Sequence, residues 1–94
     1  MTPDKLYRQI GENIRRYRKG RRTQAQLAAE IGISRASLAN IEAGRQQILV
    51  HHLYAIAGAL ELKSPAALMP ELAPLQPSGA DTAALPLPEE GLSE

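Results

Sequence analysis

The fold is decided by the stretch from Gln24 to Arg45, QAQLAAEIGISRASLANIEAGR. Its apolar residues fall at Leu27, Ala28, Ile31, Ile33, Leu38 and Ile41, and steps of three and four place them on the inner faces of two short helices. Gly32, between the two, can take a positive φ at little cost, as a sharp helix-to-helix turn requires. Ala28 is small enough for two helix backbones to approach closely, and Ile33 is placed to plug the corner. Leu38 and Ile41 turn one face of the later helix inward, leaving Arg35, Ala36, Ala39 and Asn40 on its other side. A stiff helix with small and hydrogen-bonding residues outward, near a cluster of cations, meets the demands of entry into a major groove.

Working outward, the helix ends are written locally. Thr23 and Gln26 have capping-box spacing and open a helix through Ile31, and Ser34 caps the next, which runs to Ala43 and stops at Gly44. Upstream, Thr2 before Pro3 suits an N-cap with proline in the first turn, and Asp4 complements the positive helix end. Leu6, Ile10, Ile14 and Tyr17 line one face of this first helix, which Gly20 can stop. A further helix is predicted over roughly 49–61, with Leu53, Ile56, Ala57 and Leu60 on one stripe, and Ser64-Pro65 signals a last short turn through Leu68-Met69. No useful stretch alternates with period two, so no strand is predicted.

Charge divides the chain in two. Residues 1–63 hold all eleven Lys and Arg against five acids, whereas residues 70–94 hold five acids and no base. A basic body favours a polyanion as partner. The change of character coincides with five of the seven prolines, Pro70, Pro74, Pro77, Pro86 and Pro88, a density that denies helix and sheet their donors. The expected organisation is therefore a folded domain over 1–69 and a disordered, acidic, proline-rich tail over 70–94. The tail's leucines (Leu72, Leu75, Leu85, Leu87 and Leu92) leave open either weak collapse or ordering on a protein partner. The chain has no cysteine, which excludes disulfides and thiolate metal sites. It has neither a signal-peptide stretch nor the ~18 consecutive apolar residues of a membrane helix, so a soluble cytoplasmic protein without membrane contact is expected.

The ordered set Thr23-Gln24, Leu27-Ala28, Gly32, Ser34, Ile41-Glu42 and Gly44 resembles the helix-turn-helix of the phage-repressor and Cro-like transcriptional regulators, the XRE family, over about 60 residues from Ile10 through Leu62. The resemblance implies an all-α, lambda-repressor-like bundle of four to five helices that binds DNA, usually as a dimer, with helix 34–43 in the major groove. On that helix, Arg35, Ala36, Ser37 and Asn40 hold the positions that usually face bases. Their chemistry agrees: Arg pairs bidentately with guanine, Asn with adenine, and an Ala methyl touches thymine. Gln24, Ser34 and Arg45 resemble phosphate-contacting positions. Glu42 resembles a buried family glutamate paired with an arginine of the first helix, for which Arg18 is the candidate.

The run from Arg15 to Arg22 holds six Arg and Lys residues in eight, a pattern whose usual meaning alone is a solvated basic face. Beside a helix-turn-helix, Arg21 and Arg22 near the start of the second helix become candidates for phosphate contact, while Arg15 and Arg16 are read as solvent-exposed. His51-His52 lack any further ligand at metal spacing and are read as helix surface or partly buried, Tyr7, Tyr17 and Tyr54 as core edges. Ser34, Ser37 and Glu42 have no supporting catalytic constellation, and no Walker loop, dinucleotide fingerprint or metal spacing occurs. Neither enzyme activity nor a cofactor nor a metal is expected. The leading reading is a homodimeric repressor bound to a palindromic operator in double-stranded DNA, dimerising through the exposed side of the fourth helix and residues 63–69. The alternative is an antitoxin whose 70–94 tail binds a toxin. An RNA-binding module ranks third, because stacking aromatics are scarce.

Overall fold

The structure, a computed structural model, describes residues 1–71. Four α-helices, α1 (Pro3–Arg18), α2 (Gln24–Ile31), α3 (Arg35–Glu42) and α4 (Val50–Ala59), are followed by a single 3₁₀ turn, Pro65–Leu68. There is no strand among the described residues. The expectations for a disordered, partner-binding tail fall, from residue 72 onward, outside the described residues.

The helix starts follow the local chemistry of their caps. Thr2 Oγ1 accepts from the Lys5 amide at 3.3 Å with Pro3 in the first turn. Around α2 the capping box closes in both directions, Gln26 N donating to Thr23 Oγ1 at 3.0 Å and Thr23 N to Gln26 Oε1 at 2.8 Å. Ser34 Oγ accepts from Ser37 N at 3.0 Å to open α3. Such caps contribute about 1 kcal/mol each. Between α2 and α3, Gly32 stands at φ 82°, and the amides of Gly32 and Ile33 both donate to Ala28 O, which turns the chain within three residues.

The fourth helix is shorter than the predicted 49–61. It ends at Ala59 because Glu61 enters the left-handed region at φ 60°, where Glu61 N donates to Gly58 O and Leu62 N to Ala57 O. This is a Schellman ending built on a residue with a Cβ, a conformation that costs an L-residue roughly 1–2 kcal/mol. Glu61→Gly relieves that strain but adds unfolded-state entropy. The expected result is a gain of about 0.5–1 kcal/mol in a urea titration, with no change in duplex binding.

The core is aliphatic and draws on every element: Ile10 and Ile14 from α1, Leu27 and Ala28 from α2, Leu38 and Ile41 from α3, Leu53, Ile56 and Ala57 from α4 with its C-cap Leu60, and Leu68 from the 3₁₀ turn. The predicted stripes thus converge, with Leu6, Tyr7, Tyr17, Ile31 and Ile33 half-buried against them. Tyr54 departs from the expectation. The residue is 62% exposed because it lies four residues from Val50, itself 70% exposed, on the outward face of α4. The C-terminal end of the described chain is tied back to α1 by Asn13 Nδ2, which donates to Leu68 O at 3.0 Å.

Candidate nucleic-acid interface

Helix α3 has Leu38, Ile41 and Glu42 buried, with Arg35, Ala36 and the C-cap residue Ala43 exposed. Ala39, Asn40 and Ser37 are half-buried beside that outer ridge. The ridge is nearly flat, since four of its side chains are methyl groups or hydroxymethyl. A flat ridge lets a helix backbone come close to a groove floor. The outward set includes Ala43, which the sequence reading had not counted among base-facing positions.

The orientation of α3 is fixed by a polar junction at its C-terminal end. Arg18 of α1 binds Glu42 through two parallel bonds, Nε to Oε2 at 2.6 Å and Nη2 to Oε1 at 3.0 Å, with side-chain exposures of only 10% and 3%. Gln24, the first residue of α2, donates Nε2–H to the same Glu42 Oε1 at 3.0 Å. One carboxylate therefore joins three helices. Arg18 Nη1 also donates to Arg22 O at 3.1 Å, pinning the loop between α1 and α2. With Glu42 as acceptor, the Gln24 amide is held at the α2 N-terminus, a place suited to an anion.

The loop cations Arg21 and Arg22, the phosphate candidates of the sequence reading, have partners within the protein. Both guanidiniums turn to the carbonyl end of α4, Arg21 Nη1 donating to Leu60 O at 2.6 Å and Arg22 Nη2 to Ala59 O at 3.4 Å. Arg22 Nε also meets Glu30 Oε2 at 2.7 Å, an exposed pair of the kind that contributes little to stability. The physical reason is that the last carbonyls of α4 lack helical partners and attract cations. The cations facing solvent include Arg15 and Arg16 of the last α1 turn, Lys19 at its C-cap, Arg21 in the following loop, Arg35 at the start of α3, and Arg45 beyond α3. Arg15, Lys19 and Arg35 share one open cleft of about 690 Å³ with Thr23, Gln24 and Glu42. The placement of Arg15 and Lys19 there was not read from the sequence.

Ser34 is exposed, with its oxygen engaged as the α3 cap and its hydroxyl hydrogen uncommitted. His51 and His52 lie with ring centroids 4.2 Å apart, and no group of three or more potential metal ligands occurs among the described residues. No helix among them is long and apolar enough to cross a membrane.

Residues 14–68 match the Helix-turn-helix family model. Among solved structures, the chain is similar to the clp gene regulator ClgR from Corynebacterium glutamicum, with a TM-score of 0.64 and 26% identity over 67% of this chain and 67% of that one. It shares its fold with the restriction-modification controller protein C.AhdI from Aeromonas hydrophila, at a TM-score of 0.63 and 23% identity over 67% of this chain and 96% of that one. The hydroxypropylphosphonic acid epoxidase from S. wedmorenis is also similar, with a TM-score of 0.63 and 25% identity, but over 69% of this chain and only 35% of that enzyme. No curated protein sequence matches the chain.

Proposed function

The chain belongs to the helix-turn-helix family of DNA-binding transcriptional regulators, and from that premise we propose that it is a dimeric, sequence-specific repressor that reads the major groove of a palindromic operator with α3. The observation that carries this reading is the junction at Glu42. Arg18 and Gln24 hold α3 from α1 and α2, so that Arg35, Ala36 and Asn40 are offered outward on a fixed rod. In this reading Arg35 and Asn40 pair with base edges, Ala36 and Ser37 make close contact, and Gln24, Ser34 and Arg45 anchor phosphates. Arg15 and Lys19 join Arg21 and Arg22 as phosphate contacts, the guanidiniums of the latter two also having partners inside the protein. The reading is non-enzymatic and places the protein inside the cell, where its DNA is.

Dimerisation is supported by the exposed apolar group at the start of α4, Leu49, Val50 and Tyr54 at 57%, 70% and 62% exposure, with Met69 at 41%. A single module buries of order 600–1,000 Å² of protein surface on DNA. Two modules reading half-sites ~34 Å apart supply the missing contact area.

Selection of bound fragments from random duplexes tests the whole reading through the half-site, its symmetry and its spacing. On the selected site, Arg35→Ala is expected to cost roughly 1–3 kcal/mol and to relax sequence choice at one base pair. Gln24→Ala, measured beside it, should weaken all duplexes by a similar factor. Equal losses for Arg35→Ala on selected and random DNA would remove base reading from α3.

A further inference from the structure

We propose that α1 straddles the C-terminal end of α3 so that Arg8 and Arg15 hold phosphates of opposite strands, one on each wall of the major groove that α3 enters. The inference rests on the DNA-binding reading and adds to it a residue, Arg8, and an assignment of strands. Exposure and the lack of an ion pair do not single Arg8 out, since Lys5, Arg16 and Lys63 share both. Its place against α3 does.

The two helices cross at Gly11, where an added Cβ would overlap Ile41 O and lie 2.7 Å from Glu42 O. Arg15, one turn further along α1, lines the cleft with Thr23 and Gln24 at the start of α2 and with Ala39 and Ala43 of α3. Arg8, one turn before the crossing, rests against Gly44. A Cβ on that glycine would stand 2.9 Å from Arg8 Cα, 3.1 Å from its Cβ and 3.3 Å from its Cγ. Gly44, at φ 78°, begins the exit from α3, and the amide of Arg45 after it donates to Asn40 O at 2.9 Å. One arginine of α1 therefore stands on the flank that α3 shares with α2, and another on the flank where the chain leaves for α4. The side chains of Arg8 and Arg15 make no hydrogen bond or ion pair among the described residues.

Seven residues separate the two, about 10.5 Å along α1 at 1.5 Å each, and about two turns return both side chains to one face. A B-form major groove is about 12 Å wide, so two guanidiniums on long stems at this spacing can bracket a helix lying in it. Phosphate contacts fix orientation, and an anchor on each wall resists rolling of α3 about its own axis. Arg16 supplies the contrast. It is exposed five residues past Gly11, about 140° round the helix from the side that meets α3.

The test uses the full chain on the operator selected from random duplexes. Arg8→Gln and Arg15→Gln should each weaken binding about fivefold and lower the slope of log affinity against log salt by about 1. Arg16→Gln removes the same charge and should leave the slope close to that of the unaltered chain. Glutamine keeps the methylenes that rest against Gly44, so the urea midpoint of Arg8→Gln should not move. Arg8→Lys, which also keeps the charge, should retain the full slope. Phosphate-ethylation interference then reads the strands. Within each half-site, the phosphate whose ethylation ceases to matter in Arg8→Gln should lie across the major groove from the one identified by Arg15→Gln. Both phosphates on one strand, or equal slopes for Arg8→Gln and Arg16→Gln, would overturn the proposal while leaving DNA binding intact. Failure of the unaltered chain to bind any duplex would instead overturn the DNA-binding reading, and the strand assignment with it.

Discussion

Arg18→Met is expected to lower the stability of the fold by about 3–5 kcal/mol, because it leaves the Glu42 carboxylate buried without its counter-charge. The geometry makes this the most consequential polar contact in the molecule. Glu42 is 3% exposed at its side chain and accepts three hydrogen bonds, two from Arg18 and one from Gln24. Removing the arginine leaves the Gln24 amide as its sole hydrogen-bond partner among the described residues. Pairing Arg18→Met with Glu42→Met removes both charges together and should recover most of the loss, since a buried ion pair contributes little over an apolar pair of similar volume. Urea titrations of the two single variants and the double variant decide the matter through the coupling energy. A loss below about 1 kcal/mol for Arg18→Met would mean that the carboxylate finds solvent elsewhere, and that α3 is held by packing alone. The double variant also separates stability from function. With no acceptor at position 42, Gln24 loses its anchor at the α2 N-terminus, so duplex affinity should stay reduced even where stability returns.

The contrast between what was legible in the sequence and what was not follows the range of the interactions. Caps at Thr2, Thr23 with Gln26, and Ser34 act across three residues, so spacing alone identified them. The stripes Ile10–Ile14, Leu38–Ile41 and Leu53–Ile56–Leu60 are helical repeats within one segment, and they became the core. Gly32 was legible for the same reason, as a turn between two such stripes. The internal partners of Arg21 and Arg22 were not. Six cations between Arg15 and Arg22 look alike in sequence, and their fates depend on carbonyls at Ala59 and Leu60, more than thirty residues away. That α4 would end early enough to present those carbonyls also escaped the pattern, because Glu61 carries no local mark of a left-handed residue. Arg18 with Glu42 is an intermediate case. The spacing of the bases does not distinguish Arg18 from its neighbours, and it was the resemblance that singled it out.

Gly11→Ala is the second change with a large expected effect, and it probes the same relation between α1 and α3 from the backbone side. Gly11 is buried between Ile10 and Ile14 on α1, and a Cβ there would overlap Ile41 O and lie 2.7 Å from Glu42 O and 2.9 Å from Glu42 C. These are backbone atoms of α3, so no rotamer change can clear them, and one helix must move away from the other. In an exposed helix interior the same substitution would stabilise by up to ~1 kcal/mol. Here overpacking of about 1–3 kcal/mol opposes that gain, and the clash with main-chain atoms places the cost at the upper end. Gly58→Ala on α4, where an added Cβ meets nothing within 4 Å, supplies the control and should be neutral or stabilising. The signature of the mechanism lies in binding rather than stability. Displacing α3 shifts Arg35 and Asn40 together relative to Gln24, and a misplacement of about 1 Å is enough to degrade a preorganised site. Affinity for the selected operator should therefore fall at least about tenfold in Gly11→Ala at temperatures where the variant is fully folded, with random-duplex binding less affected. If Gly11→Ala instead matches Gly58→Ala in both stability and operator affinity, α1 and α3 have room to separate without consequence. The position of α3 would then be set by Leu38, Ile41 and the Glu42 junction rather than by backbone contact at Gly11.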